Sequence, residues 1–88
     1  MIERETTIVN QEGLHARPAA KIVRLASGFD SEIELLKDGV VVNGKSIMGV
    51  MMLAAECGSS IVIRADGPDA EQAVDAITQL VAGGFGEP

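Results

Sequence analysis

The segment Gly13-Leu14-His15-Ala16-Arg17-Pro18-Ala19-Ala20 holds the only histidine of the 88 residues, two positions before an arginine and three before a proline. Proline suits the first turn of a helix, where its missing N–H costs nothing and its fixed φ favours helix; the glycine before the histidine gives a flexible approach. The spacing therefore predicts a helix starting near Ala16, with His15 at or next to its N-cap. A helix start leaves about four N–H groups without intrahelical partners and carries roughly half a positive charge, so it attracts anions. A phosphoryl group on the His15 ring would meet the amides of Ala16 and Arg17 in a first turn shaped by Pro18, and Arg17 would add a guanidinium. Imidazole, with an unperturbed pKa of about 6.5, is substantially neutral and nucleophilic near neutral pH. The expected chemistry is that His15 takes a phosphoryl group and passes it on, with positioning and electrostatics supplying the catalysis. The plainer alternative is a histidine that only caps a helix or sits satisfied on the surface.

The elements that must hold this segment can be traced along the chain. Ile2 to Val9 is rich in β-branched residues and reads as a first strand, although Glu3, Arg4 and Glu5 break its alternation. From Ala16 to Ser27 the apolar Ala19, Ile22, Val23 and Ala26 recur at three and four, giving one helix face, and Gly28 is placed to cap its end. Ser31 to Lys37 alternates around Ile33 and Leu35, Asp38-Gly39 is a hairpin signal, and Val40 to Asn43 is a short β-branched run. Ser46 reads as the N-cap of a helix from Ile47 to about Ala55, with Gly58 closing that region before a fourth strand, Ser60 to Asp66. Asp66-Gly67-Pro68-Asp69 opens a third helix carrying Ala70, Ala73, Val74, Ile77, Leu80 and Val81 at helical spacing, which ends at Gly83-Gly84. The order βαββαβα predicts an α+β open-faced sandwich, a four-stranded antiparallel sheet with three helices on one face. With short connections, no repeat and no low-complexity linker, residues 1–88 are expected to form one domain.

The octapeptide around His15 resembles the active-site signature of HPr, the histidine-containing phosphocarrier family of the bacterial phosphotransferase system. Asn43-Gly44-Lys45-Ser46-Ile47-Met48-Gly49-Val50-Met51 resembles that family's regulatory serine segment, at the distance from the histidine that the family shows. The likeness extends over essentially the whole chain. It implies the open-faced sandwich and a stoichiometric carrier rather than an enzyme. The carrier would need no cofactor, accept phosphate at His15 from phosphorylated enzyme I and donate it to enzyme IIA domains for sugar uptake and its regulation. It also implies that Ser46, beyond its cap role, is a target of HPr kinase/phosphorylase, with regulators recognising the phosphoserine. About two negative charges placed at a helix N-terminus are tolerable for the fold and disruptive for a docking surface beside it. A nitrogen-related branch of the same family, driving regulation rather than sugar uptake, stays open.

Two surfaces are candidates for docking. Arg17, Lys21 and Arg24 follow at steps of four and three, a basic stripe leading away from His15; it is either a solvated helix face or a site for an acidic partner surface. Ile47, Met48, Val50, Met51, Met52 and Leu53 cover every side of a short helix, although only one face can rest on the sheet. Ile47, Met48 and Met51 are the members expected to be exposed and to flank His15, methionine being suited to adaptable interfaces.

Bulk composition narrows the rest. Thirteen acidic against seven basic residues give a net charge of −6, and there is no Trp or Tyr, so charge and stacking both argue against nucleic acid. No apolar run approaches a bilayer span and the N-terminus has no secretory pattern, so a cytoplasmic monomer without membrane insertion is expected. One cysteine and one histidine leave no basis for a metal centre; Cys57 is expected to pack. The competing class is a small-ligand sensor of ferredoxin-like fold, whose element order is nearly the same.

Overall fold

A computed structural model describes residues 1–88. The elements follow as β1 (Ile2–Thr7), α1 (Ala16–Ala26), β2 (Glu32–Lys37), β3 (Val40–Asn43), α2 (Ile47–Met52), β4 (Ser60–Asp66), α3 (Ala70–Ala82) and a short turn at Gly84–Gly86. The four strands form one antiparallel sheet in the order β1-β4-β2-β3. Its register sets Ile33 and Ile2 beside Ala65, and Leu35 between Ile63 and Val42. Ile33, Leu35, Val42, Ile61, Ile63 and Ala65 are buried beneath Ala19, Ile22 and Ala26 of α1, Val50 of α2, and Ala73, Val74, Ile77 and Val81 of α3. The period-two faces of the strands thus meet the three-and-four stripes of the helices, leaving the other sheet face open.

The broken alternation of β1 resolves across two faces. Arg4 turns toward the helices and pairs with Asp75 of α3, whereas Glu3 lies on the open face and accepts from Arg64 of β4 at 2.8 Å. Arg64 also reaches Glu34 of β2 at 3.1 Å, so one guanidinium ties three strands.

Four boundaries differ from expectation. β1 ends at Thr7 rather than Val9 because β4 begins at Ser60; the Gly58 turn, at φ 91°, interrupts the ladder, although the Ile8 N–H still donates to Ser59 O at 2.9 Å. α1 ends at Ala26 with Ser27 as its C-cap, and Gly28 does not take the left-handed conformation expected of a capping glycine: its N–H bonds back to Leu25 O. β2 starts at Glu32 because Ser31 is drawn into a side-chain network with Asp69. α2 stops at Met52 rather than near Ala55. Ala54 turns left-handed at φ 51°, freeing Ala55 O to accept from the Leu14 N–H at 2.9 Å. The chain leaves the second helix early in order to brace the loop that carries His15.

Candidate functional site

The loop from Asn10 to Leu14 delivers His15 to the start of α1. Gly13 sits at φ 69°, and a Cβ there would lie 2.4 Å from Ala55 O, so only glycine lets the two loops close on one another. Asn10 is buried, and its side-chain amide donates to Gly13 O at 2.8 Å. His15 is the N-cap residue by backbone, with φ −81° and ψ −171°, yet its side chain does not cap. The first intrahelical bond runs from the Ala19 N–H to His15 O at 3.0 Å, so the amides of Ala16 and Arg17 lie ahead of the helical ladder and Pro18 adds no donor.

The imidazole instead faces the far end of the chain. Its Nε2 lies 2.9 Å from Oε1 of Glu87, and 3.9 Å from a carboxylate oxygen of the more exposed Glu12. Glu87 also accepts from the Asn10 amide at 3.2 Å. The His15 hydrogen bond, helped by His15's charge, the Asn10 bond and the positive charge of Arg17, holds the Glu87 carboxyl below its usual range against the opposing effect of desolvation. With a carboxylate on Nε2, the proton of a neutral ring belongs to Nε2 and the free lone pair to Nδ1.

Glu87 is presented by a left-handed turn. Gly84, Phe85 and Gly86 have φ of 67°, 59° and 73°, values that glycine adopts freely and that cost a residue with a Cβ about 1–2 kcal/mol. Phe85 accepts that conformation because its ring is buried; fully burying such a side chain returns about 1.5–3 kcal/mol. Lys21 donates to Phe85 O at 2.6 Å, and the Gln11 N–H donates to Pro88 O at 2.8 Å. The tail is therefore pinned on both sides of Glu87.

Arg17 is exposed and has no salt bridge. It lines a hollow of about 250 Å³ together with Gln11, Glu12, His15, Glu87 and Pro88. A larger hollow, about 460 Å³, lies beside Lys21, Arg24, Leu25, Phe29 and Leu80, but it excludes His15. The basic stripe is accordingly uneven: Arg17 and Arg24 are exposed, whereas Lys21 is half-buried and committed to the tail. Ile47, Met48 and Met51 are exposed, and so is Met52, which the sequence did not single out. The described contacts bring the end of the α2 region, Ala54 to Glu56, against Leu14 and His15 around a second hollow. α2 itself packs against α1, the helix that His15 begins. Ser46 caps α2, its Oγ accepting from the Gly49 N–H at 3.0 Å. Cys57, expected to pack, is exposed.

Glu87, Asn10 and Phe85 were not foreseen at the site. Glycines flanking an aromatic do announce an unusual turn, but a contact spanning 72 positions has no local signal.

Residues 2–83 match the family described as PTS HPr component phosphorylation site. The chain is 51% identical to the phosphocarrier protein HPr of Cupriavidus necator and 48% identical to that of Treponema pallidum, with 99% of this chain covered in both cases and 98% and 99% of those proteins. It superposes on the crystal structure of HPr-C-His from Thermoanaerobacter tengcongensis with a TM-score of 0.95 at 45% identity, covering 100% of this chain and 99% of that one. No helix is long and apolar enough to cross a membrane. A likeness of this extent decides against the ligand-sensor alternative: the chain belongs to the HPr family of phosphocarrier proteins.

Proposed function

We propose that His15 carries the phosphoryl group, accepting it on Nδ1 from phosphorylated enzyme I and donating it to enzyme IIA domains, and that the 88 residues act as one cytoplasmic, monomeric unit. The observation that carries this reading is the 2.9 Å contact between His15 Nε2 and Glu87 at the uncapped start of α1. In the forward step the Nδ1 lone pair forms a bond to phosphorus while the donor's bond to phosphorus breaks and its electron pair leaves with the donor. The ring becomes cationic as that bond forms, and the Nε2–H remains shared with Glu87, which stabilises the charge as an orienting carboxylate does for any imidazole acting at its other nitrogen. Amides of Ala16 and Arg17 and the Arg17 guanidinium meet the phosphoryl oxygens in a first turn fixed by Pro18. Donation to the acceptor is the same step reversed. The chain turns over stoichiometrically and uses no cofactor.

Arg24, Ile47, Met48 and Met51 supply the exposed cation and apolar groups for docking, with Lys21 holding the tail beneath. Phosphorylation of Ser46 by HPr kinase/phosphorylase adds charge beside that surface and changes which partners bind, regulators of phosphoserine among them. Incubation with phosphoenolpyruvate and enzyme I, followed by mass measurement with and without acid, tests the reaction. An acid-labile phosphate adduct absent from His15→Ala is the expected result; a wild-type chain of unchanged mass would refute it.

A further inference from the structure

We infer that Asn10 is a positioning residue for phosphoryl transfer: its side-chain amide clamps Glu87 against Nε2 of His15 and thereby fixes which ring nitrogen carries the lone pair. The inference rests on His15 being the phosphate carrier. Asn10 is 1% exposed, one of only two fully buried polar residues in the chain, the other being Ser31. Its Nδ2 reaches two acceptors, Gly13 O at 2.8 Å and Glu87 Oε1 at 3.2 Å, so a single NH₂ group ties the loop before His15 to the tail after α3. Its Oδ1 has no donor.

That asymmetry is informative. A buried acceptor left without a partner is unfavourable, so the favourable contacts of this side chain are those of its amino group alone. Of its two donor hydrogens, one ends on the same Glu87 oxygen that meets the His15 ring. Glu87 itself stands on a three-residue left-handed turn near the end of the described chain, and its own backbone N–H is used within that turn, bonding to Gly84 O at 3.0 Å. Lys21 and Gln11 fix the backbone of the tail; only Asn10 and His15 fix its carboxylate. Without Asn10 the carboxylate can rotate into the hollow toward Arg17, leaving the ring free to exchange tautomers and to place its proton on Nδ1, where it blocks attack.

The test reads the ring directly. ¹⁵N spectra of the His15 imidazole and initial rates of phosphate uptake from enzyme I are compared for wild type, Asn10→Ala, Glu87→Gln and the double variant. Wild type should show the Nε2–H tautomer. Asn10→Ala should raise the Nδ1–H fraction and slow uptake about tenfold, comparable to the smallest losses when the partner behind a metal-bound histidine is removed. Because Asn10 acts through Glu87, the double variant should be no slower than Glu87→Gln alone. An unchanged ring spectrum and rate in folded Asn10→Ala, or losses that simply multiply, would overturn the inference. Should Asn10→Ala not fold, the wild-type chain decides: the Asn10 side-chain N–H signals must move when His15 gains phosphate, and fixed signals refute the coupling. If wild type gains no phosphate while the ring still responds to Asn10, the carrier reading fails and the tautomer clamp stands.

Discussion

The starts of α1 and α2 pose the same physical problem and resolve it in opposite ways. At α2 the N-cap serine turns its Oγ back onto the Gly49 N–H, and the helix end is satisfied by its own side chain. At α1 the N-cap histidine turns its ring away toward Glu87, and no side chain covers the amides of Ala16 and Arg17. One end is closed for stability; the other is kept open at a loss of roughly 1 kcal/mol, the usual worth of a cap. The open end is the one supplied with a nucleophile, a free guanidinium and a carboxylate on the back of the ring. An unsatisfied helix start is thus most informative when a satisfied one lies in the same chain.

The sharpest way to break the comparison is to close the open end. His15→Ser should abolish phosphate uptake completely, as read by mass, while staying close to wild-type stability in urea, because the serine cap offsets the loss of the Glu87 bond. A large loss of stability would mean that the ring holds the fold rather than the phosphate. Next in size, Phe85→Ala should lower stability by about 3–5 kcal/mol in the same titration, since it empties a buried site and releases the turn that presents Glu87. At the closed end, Ser46→Ala should cost about 1 kcal/mol and leave phosphate uptake unchanged. Ala54→Gly should stabilise by about 0.5–1 kcal/mol, as it relieves a left-handed alanine in the strut that supports Leu14.

Acid should act through a different pair of groups. Asp69 does not cap α3; its carboxylate accepts from the Ser31 hydroxyl and from the backbone N–H groups of Asp30 and Ser31. The Ser31 side-chain bond, then the Asp30 backbone bond, hold its carboxyl below the ordinary 3.8, just as the His15 bond holds Glu87 below the ordinary 4.5. Both groups bind fewer protons folded than unfolded in that range. Their stabilisation is therefore present above about pH 4.5 and is lost as pH falls through the lowered values. Thermal melts of Asp69→Asn should show a shallower decline below pH 4.5 than wild type; an equally steep decline would remove Asp69 from the account.

The element order and the outline of the α1 site were legible because they rest on local signals. Gly13 and Pro18 mark a helix start, Asp38-Gly39 marks a hairpin, and Ser46 marks a cap; each acts within a few residues. Boundaries failed where distant segments intervened. α2 stops at Met52 because the Leu14 N–H needs Ala55 O, and Ser31 leaves its strand for Asp69. The carboxylate on the His15 ring was illegible for the same reason. Nothing near His15 in sequence points to Glu87, and the Gly-Phe-Gly turn foretells an odd backbone without saying where its next side chain will land. Lys21 illustrates the converse error: helical spacing placed it correctly on a basic stripe, but spacing does not reveal that the Phe85 carbonyl already occupies it.

The most direct test of the central claim is a phosphorus and nitrogen NMR spectrum of the ¹⁵N-labelled chain after exposure to phosphoenolpyruvate and enzyme I. Phosphorus bonded to Nδ1 of His15, with the proton retained on Nε2, is the predicted result. Phosphorus on Nε2, on another residue, or nowhere would contradict the account.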